Sequence, residues 1–154
     1  MNSIIYIIAF SMIDARHIRQ RRPTVALYAK SGRHLAMSSN GQVHMTIEAR
    51  SVYTHIELVS TGDNQFHIRS TETGRYLSVP KTHSKRKQLT TTSLKKHATV
   101  FTEEVLANNY NSYALFGNEK CRLSVRKSSK VRVVCHKRHR LSNVSFLPRR
   151  VYRH

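Results

Sequence analysis

The sequence predicts an all-β chain built from three copies of a four-stranded unit. Three observations carry this. About a dozen short apolar or β-branched runs recur at near-regular spacing, separated by polar or glycine-containing turns. Helix signals are poor after residue 22. A five-residue pattern also appears three times: Arg33-His34-Leu35-Ala36-Met37, Arg75-Tyr76-Leu77-Ser78-Val79 and Cys121-Arg122-Leu123-Ser124-Val125. Its leucines lie 42 and 46 residues apart. A unit of about 40 residues cannot bury its apolar face alone, and three such units fit a closed barrel capped by hairpins. We read a β-trefoil of twelve short strands in three repeats.

The first repeat is expected to supply strands at 25–30, 33–38, 42–46 and 56–60. Asn40-Gly41 between two of them is a hairpin signal, since both residues tolerate positive φ. The second repeat should form strands at 65–69, 75–79, 87–91 and 99–103, with Thr73-Gly74 as a turn. The third should form strands at 112–116, 122–126, 130–134 and 144–147. Apolar residues at equivalent positions of a repeat are core residues. The expected core is therefore Leu35, Leu77 and Leu123 with Leu27, Val43, Ile68, Phe101, Leu115, Val131 and Phe146.

The ends read differently. Residues 4–13 are a ten-residue apolar run, too short for a membrane-spanning helix, which needs about 20 residues. The run fits a secretory signal peptide over 1–15, with Ala15 as the small residue at cleavage, although Met1-Asn2-Ser3 lacks a basic side chain. A buried first strand is the competing reading. Cleavage would remove Asp14, raise the net charge from +19 to +20, and expose a basic arm over 16–24. The domain then spans 25–151, with a short tail at 152–154.

Charge is the strongest compositional signal. Lys and Arg total 27 against 8 Asp and Glu, with 10 His besides. So lopsided a field concentrates anionic ligands: nucleic acid, anionic membrane or sulfated polysaccharide. The 8 acidic residues show no paired or Gly-flanked nucleophile motif, and there is no glycine-rich phosphate loop, so the chain does not read as an enzyme. Cys121 and Cys135 could be a disulfide or two free thiols. Their spacing to His136 and His139 does not match a common zinc set. No metal or cofactor is expected.

Three stretches resemble the fibroblast growth factors. The first is Leu27-Tyr28, Gly32, His34-Leu35 and Asn40-Gly41-Gln42-Val43. The second is Ile68-Arg69-Ser70-Thr71-Glu72-Thr73-Gly74-Arg75-Tyr76-Leu77. The third is Phe101, Glu103, Asn108-Asn109-Tyr110-Asn111-Ser112-Tyr113 and, later, Phe146-Leu147-Pro148-Arg149-Arg150-Val151. They occur in family order and with nearly constant spacing. The resemblance implies a β-trefoil, secretion, a cell-surface receptor tyrosine kinase as partner, and heparan sulfate proteoglycan as co-ligand. It implies no nucleic-acid binding, and no membrane insertion once the signal is cleaved. It places receptor contacts on Tyr28, Glu103, Asn108, Tyr110, Asn111 and Leu147. Tyr113 is expected to pack beside the barrel instead.

The resemblance also gives the charge a location. The run Arg126-Lys127-Ser128-Ser129-Lys130-Val131-Arg132 through His136-Lys137-Arg138-His139-Arg140 falls on the family's heparin loop. Arg126, Lys127 and Arg132 match basic positions of that loop. His136 replaces another, Ser142 stands where Lys is common, and Lys130, Lys137, Arg138 and Arg140 compensate. Clustered Lys and Arg suit fixed sulfates because they form charge-assisted hydrogen bonds and release counterions. A second basic segment over 81–87 is about four residues longer than the family's usual turn. It is either an extension of that surface or a variable loop.

Arg149 stands where the family carries Leu or Met, and Thr99 where it commonly carries Cys. The glycosylation sequon Asn143-Val144-Ser145 sits beside a predicted core strand and the basic loop, a poor place for an acceptor. The short form, without long tails, suits an invertebrate or virus-encoded member. An intracellular trefoil of the growth factor homologous type, binding protein or nucleic acid, is the alternative; the apolar run at 4–13 argues against it. A ricin-type lectin would need Trp in its repeat, and the chain has 0 Trp.

Overall fold

The computed structural model describes residues 23–126 and 130–152. The predicted signal peptide, the basic arm up to residue 22, Lys127 and the last two residues lie outside them. The strands, in chain order, are β1 (Thr24–Ala29), β2 (His34–Met37), β3 (Val43–Thr46), β4 (Ile56–Gly62), β5 (Gln65–Ser70), β6 (Tyr76–Ser78) and β7 (Arg86–Gln88). They continue with β8 (Thr90–Thr92), β9 (Phe101–Val105), β10 (Asn111–Leu115), β11 (Asn118–Val125), β12 (Val131–Cys135) and β13 (Phe146–Arg150). A four-residue helix α1 (Leu141–Val144) precedes β13, so the strand expected at 144–147 begins two residues later.

Six strands close on themselves. β1 pairs with β4, β4 with β5, β5 with β9, β9 with β10, β10 with β13, and β13 with β1. Each repeat donates its first and last strand to this barrel, and the middle strands form the capping hairpins. Closure removes the barrel's unpaired edges. The architecture is the three-repeat trefoil that the recurring leucines predict.

The thirteenth strand is a split, not an addition. The strand expected at 87–91 bends at Leu89, which is buried. Its first half, β7, pairs with β12 of the third repeat, while its second half, β8, pairs with β6 of its own repeat. Serving two partners in different directions forces the bend. At the first hairpin, Gly41 takes φ +83°, and Asn40 Oδ1 accepts the Gln42 N–H at 3.1 Å. Thr91 Oγ1 donates to the Gly41 carbonyl at 3.0 Å, docking the first hairpin on the second.

Leu27, Leu35, Ile68, Leu77, Phe101, Leu123 and Phe146 have no solvent-exposed surface, and Val131 joins them. Met37, Ile56, Tyr113 and Val133 complete the same cluster. Val43 and Leu115, expected in the core, are only partly buried against it. Thr99 uses its hydroxyl to accept the Val79 N–H at 2.8 Å, holding the end of the second hairpin.

Cys121 and Cys135 face each other across the β11–β12 register and form a disulfide. The question left open by the sequence is thereby answered in favour of the bridge. It also removes both sulfurs from any thiolate ligand set. The bridge closes the β11–β12 hairpin that carries Arg126, Lys130 and Arg132, the first part of the basic run.

Candidate functional site

The basic run is spread over two strands and the turns beyond them. Arg126 and Lys130 flank the loop at the end of the β11–β12 hairpin and are exposed. Arg132 stands on β12, half-buried, on the face opposite the core residues Val131 and Val133. His136, Lys137, Arg138 and Arg140 follow β12 and are exposed. Their backbone is anchored where His136 N–H donates to the Lys120 carbonyl at 3.1 Å.

These side chains divide among shallow depressions. Arg126, His136, Arg138 and Arg140 line one of ≈ 640 Å³, together with Asn143. Arg126 also lines a second, with Lys130, Arg132 and Arg86. Lys137 does not join Arg126; with Lys120, Arg122 and Glu119 it lines a different hollow, one that His136 shares. His136 and His139 lie ring to ring at 6.1 Å, and a ring nitrogen of His139 is 2.7 Å from the Lys120 carbonyl oxygen. Among the described residues, no acidic side chain lines either of the first two depressions. Anions meeting them face cations unopposed. Asn143 of the sequon is half-buried in α1.

Arg86 was not singled out from sequence. It lies in the second basic segment, whose cations are a visible signal, but only the long-range pairing of β7 with β12 shows which one joins the loop. Val134 is opposite Arg86 in that register. Lys81 and Lys87 line another depression instead.

The expected receptor residues gather on β1, β10, β13 and the turn before β10. Tyr28 is directly opposite Leu147 in the β1–β13 register, and both are half-buried. Asn111 opens β10 and pairs with Phe146, next to Leu147. Asn108 shapes the preceding turn: its Oδ1 accepts the Tyr110 N–H at 3.1 Å, and its Nδ2 donates to Ser145 Oγ at 2.9 Å. Asn109 beside it takes φ +64°. Tyr110 is half-buried, with the Lys30 ammonium 5.8 Å from its ring centroid. These five residues therefore surround the β1–β13–β10 junction.

Glu103 has an inward partner. Tyr113 is fully buried, as expected, and its hydroxyl donates to Glu103 Oε2 at 2.7 Å. Burial, reinforced by that carboxylate, raises the Tyr113 phenol well above its ordinary range. Glu103 thus caps a core tyrosine while keeping part of its surface in solvent.

Arg149, the departure near the C-terminal strand, stacks its guanidinium 4.0 Å from the Tyr28 ring centroid. Tyr28 in turn packs its ring 5.0 Å from that of His34. His34 is buried, and burial together with the nearby Arg149 charge lowers its pKa from the ordinary 6.5. The change to Arg therefore places a cation on the aromatic ring of the expected receptor patch.

The comparison with known families agrees with this architecture. The model of the family described as fibroblast growth factor matches residues 23–147, from the start of the barrel into its last strand. With the trefoil, the three-repeat core and this match in hand, the chain belongs to the fibroblast growth factor family of signalling ligands.

Proposed function

We propose that this protein is a secreted ligand that binds heparan sulfate and activates a cell-surface receptor tyrosine kinase. The observation that carries the reading is the acid-free basic surface around Arg126, Lys130, Arg132, Arg138 and Arg140 on a fibroblast growth factor fold. Lys127, between two of them in sequence, is assigned to the same site by its match to the family's basic pair alone. The β1–β13–β10 junction, with Tyr28, Asn108, Tyr110, Asn111 and Leu147, is the receptor surface, and Glu103 is its edge on β9. Rigid amphipathic tyrosines suit such an interface. A polysaccharide that holds two ligand–receptor pairs together raises their effective concentration and promotes receptor pairing. The disulfide supports secretion, because such bonds persist in oxidising compartments.

The test is heparin-affinity chromatography of protein collected from the medium. Wild type should elute only at high salt, and Arg126→Ala/Lys127→Ala/Arg132→Ala clearly earlier. Co-elution of the two would refute the site. Absence of protein from the medium would refute secretion.

A further inference from the structure

The basic surface does not end at the loop. Three depressions share walls. The one beside Arg138 and Arg140 shares Arg126 with the next. That second one shares Arg86, Lys130 and Arg132 with a third, whose far wall is the β2–β3 hairpin at Asn40, Gln42 and His44. The three therefore adjoin in a row along one face, a segmented groove. It carries Arg at both its middle and one end, and amide side chains at the other. Among the described residues, no Asp or Glu lines any part of it.

Arg86 sits in the middle of this groove, and its backbone is held firmly. The Lys85 carbonyl accepts the Cys135 N–H at 2.7 Å, and Arg86 itself is opposite Val134. Ser84 Oγ accepts the Arg86 N–H at 3.3 Å. Lys87 Nζ donates back to the Thr82 carbonyl, folding the long segment onto itself and away from the groove. The extra residues before β7 therefore end in one exposed guanidinium at a fixed place. β7 and β11 lie two strand spacings apart, roughly 10 Å, and the groove continues beyond both.

We propose that the polysaccharide site runs from the heparin loop across β12 to β7, with Arg86 as its central contact. It therefore selects a longer sulfated chain than the loop alone would hold. This rests on the heparan sulfate reading above and adds a residue, a direction and a ligand length to it. A linear polyanion fits better than a compact anion, because the cations are strung along a row of adjoining depressions rather than converging on one point. Guanidinium groups suit repeated bidentate contacts to sulfate.

The test uses the full-length secreted protein and heparin oligosaccharides of graded size, from tetrasaccharide to dodecasaccharide, on a biosensor. Wild-type affinity should rise with chain length. Arg86→Ala should lose roughly three- to tenfold on the long chains, with a salt slope lower by about one, and little on the tetrasaccharide. Arg86→Lys should restore much of the loss. If Arg86→Ala melts early, Arg86→Gln keeps the stem and removes the same charge. Unchanged long-chain binding in these variants, while the loop triple mutant weakens, would overturn the extension and leave the heparan sulfate reading standing. Equal losses on short and long chains would also overturn it, because Arg86 would then belong to the primary contact. Failure of wild type to bind any length would instead remove the reading underneath.

Discussion

Reducing the Cys121–Cys135 bridge should destabilise the protein without altering its packed core. The two cysteines are 14 positions apart, and a closed loop of that length restricts the unfolded chain by about 3 kcal/mol at 25 °C. For a domain of this size each kcal/mol moves the melting temperature by about 3–4 °C, so reduction should lower it by about 10 °C. Cys121 is almost completely buried and Cys135 half-buried, so a reductant has access at the Cys135 side. The assay is thermal unfolding with and without reductant, alongside Cys121→Ala/Cys135→Ala. Thiol titration of the native protein should find none reactive before reduction. The double variant should melt close to the reduced wild type, and slightly lower because of the methyl-sized void left at Cys121. Melting temperatures equal within about 1 °C, or two titratable thiols in the untreated protein, would refute the bridge as a stabilising constraint.

Three further outcomes follow from the packing. Leu35→Ala, Leu77→Ala and Leu123→Ala, at equivalent fully buried positions, should each cost about 2–5 kcal/mol in denaturant unfolding, and a loss under about 1 kcal/mol at any of them would contradict its core role. Tyr113→Phe removes a charge-assisted hydrogen bond to Glu103 and should cost about 1–2 kcal/mol, with Glu103→Gln costing less because the amide still accepts the hydroxyl. His34 has a lowered pKa, so the unfolded state takes up its proton first. Stability should be full above pH 6.5 and fall as pH drops from there through the lowered value, then level off. Arg149→Leu removes the charge that adds to burial in holding that pKa down, so an NMR titration of His34 should move upward; no movement would exclude the Arg149 contribution.

Much of the fold was legible because repeated burial leaves a repeated sequence trace. Leu35, Leu77 and Leu123 mark the same place in three units, and the turns between strands carry Gly or Asn. What escaped was anything decided by distant pairing. Leu89 looks like the middle of one strand, yet β7 and β8 separate there because each half has a different neighbour. Val43, on the capping strand β3, and Leu115, at the end of the barrel strand β10, have core-type side chains but are only partly buried against the core. The same division holds at the site. Arg126, Lys130 and Arg132 could be found as a charge run. The departure of Lys137 to another hollow and the arrival of Arg86 depend on how β12 meets β11 and β7. Arg149 was visible as a departure, but its stacking on Tyr28 required the β1–β13 register.

That register has a consequence for how the molecule is made. β1 finds its longest run of partners in β13, five residue pairs from Val25–Arg150 to Ala29–Phe146. The strand that leaves the ribosome early must therefore wait for one synthesised more than a hundred residues later. Until then Leu27 lacks the wall that buries it, and β1 presents an open edge to any other chain nearby. Premature termination anywhere before Phe146 leaves the ring unsealed, so truncated products should be cleared or aggregate rather than signal weakly. Because β1 begins beside the end of β13, joining them by a short linker and opening the ring at another turn would move this delay to the strand pair flanking the new opening.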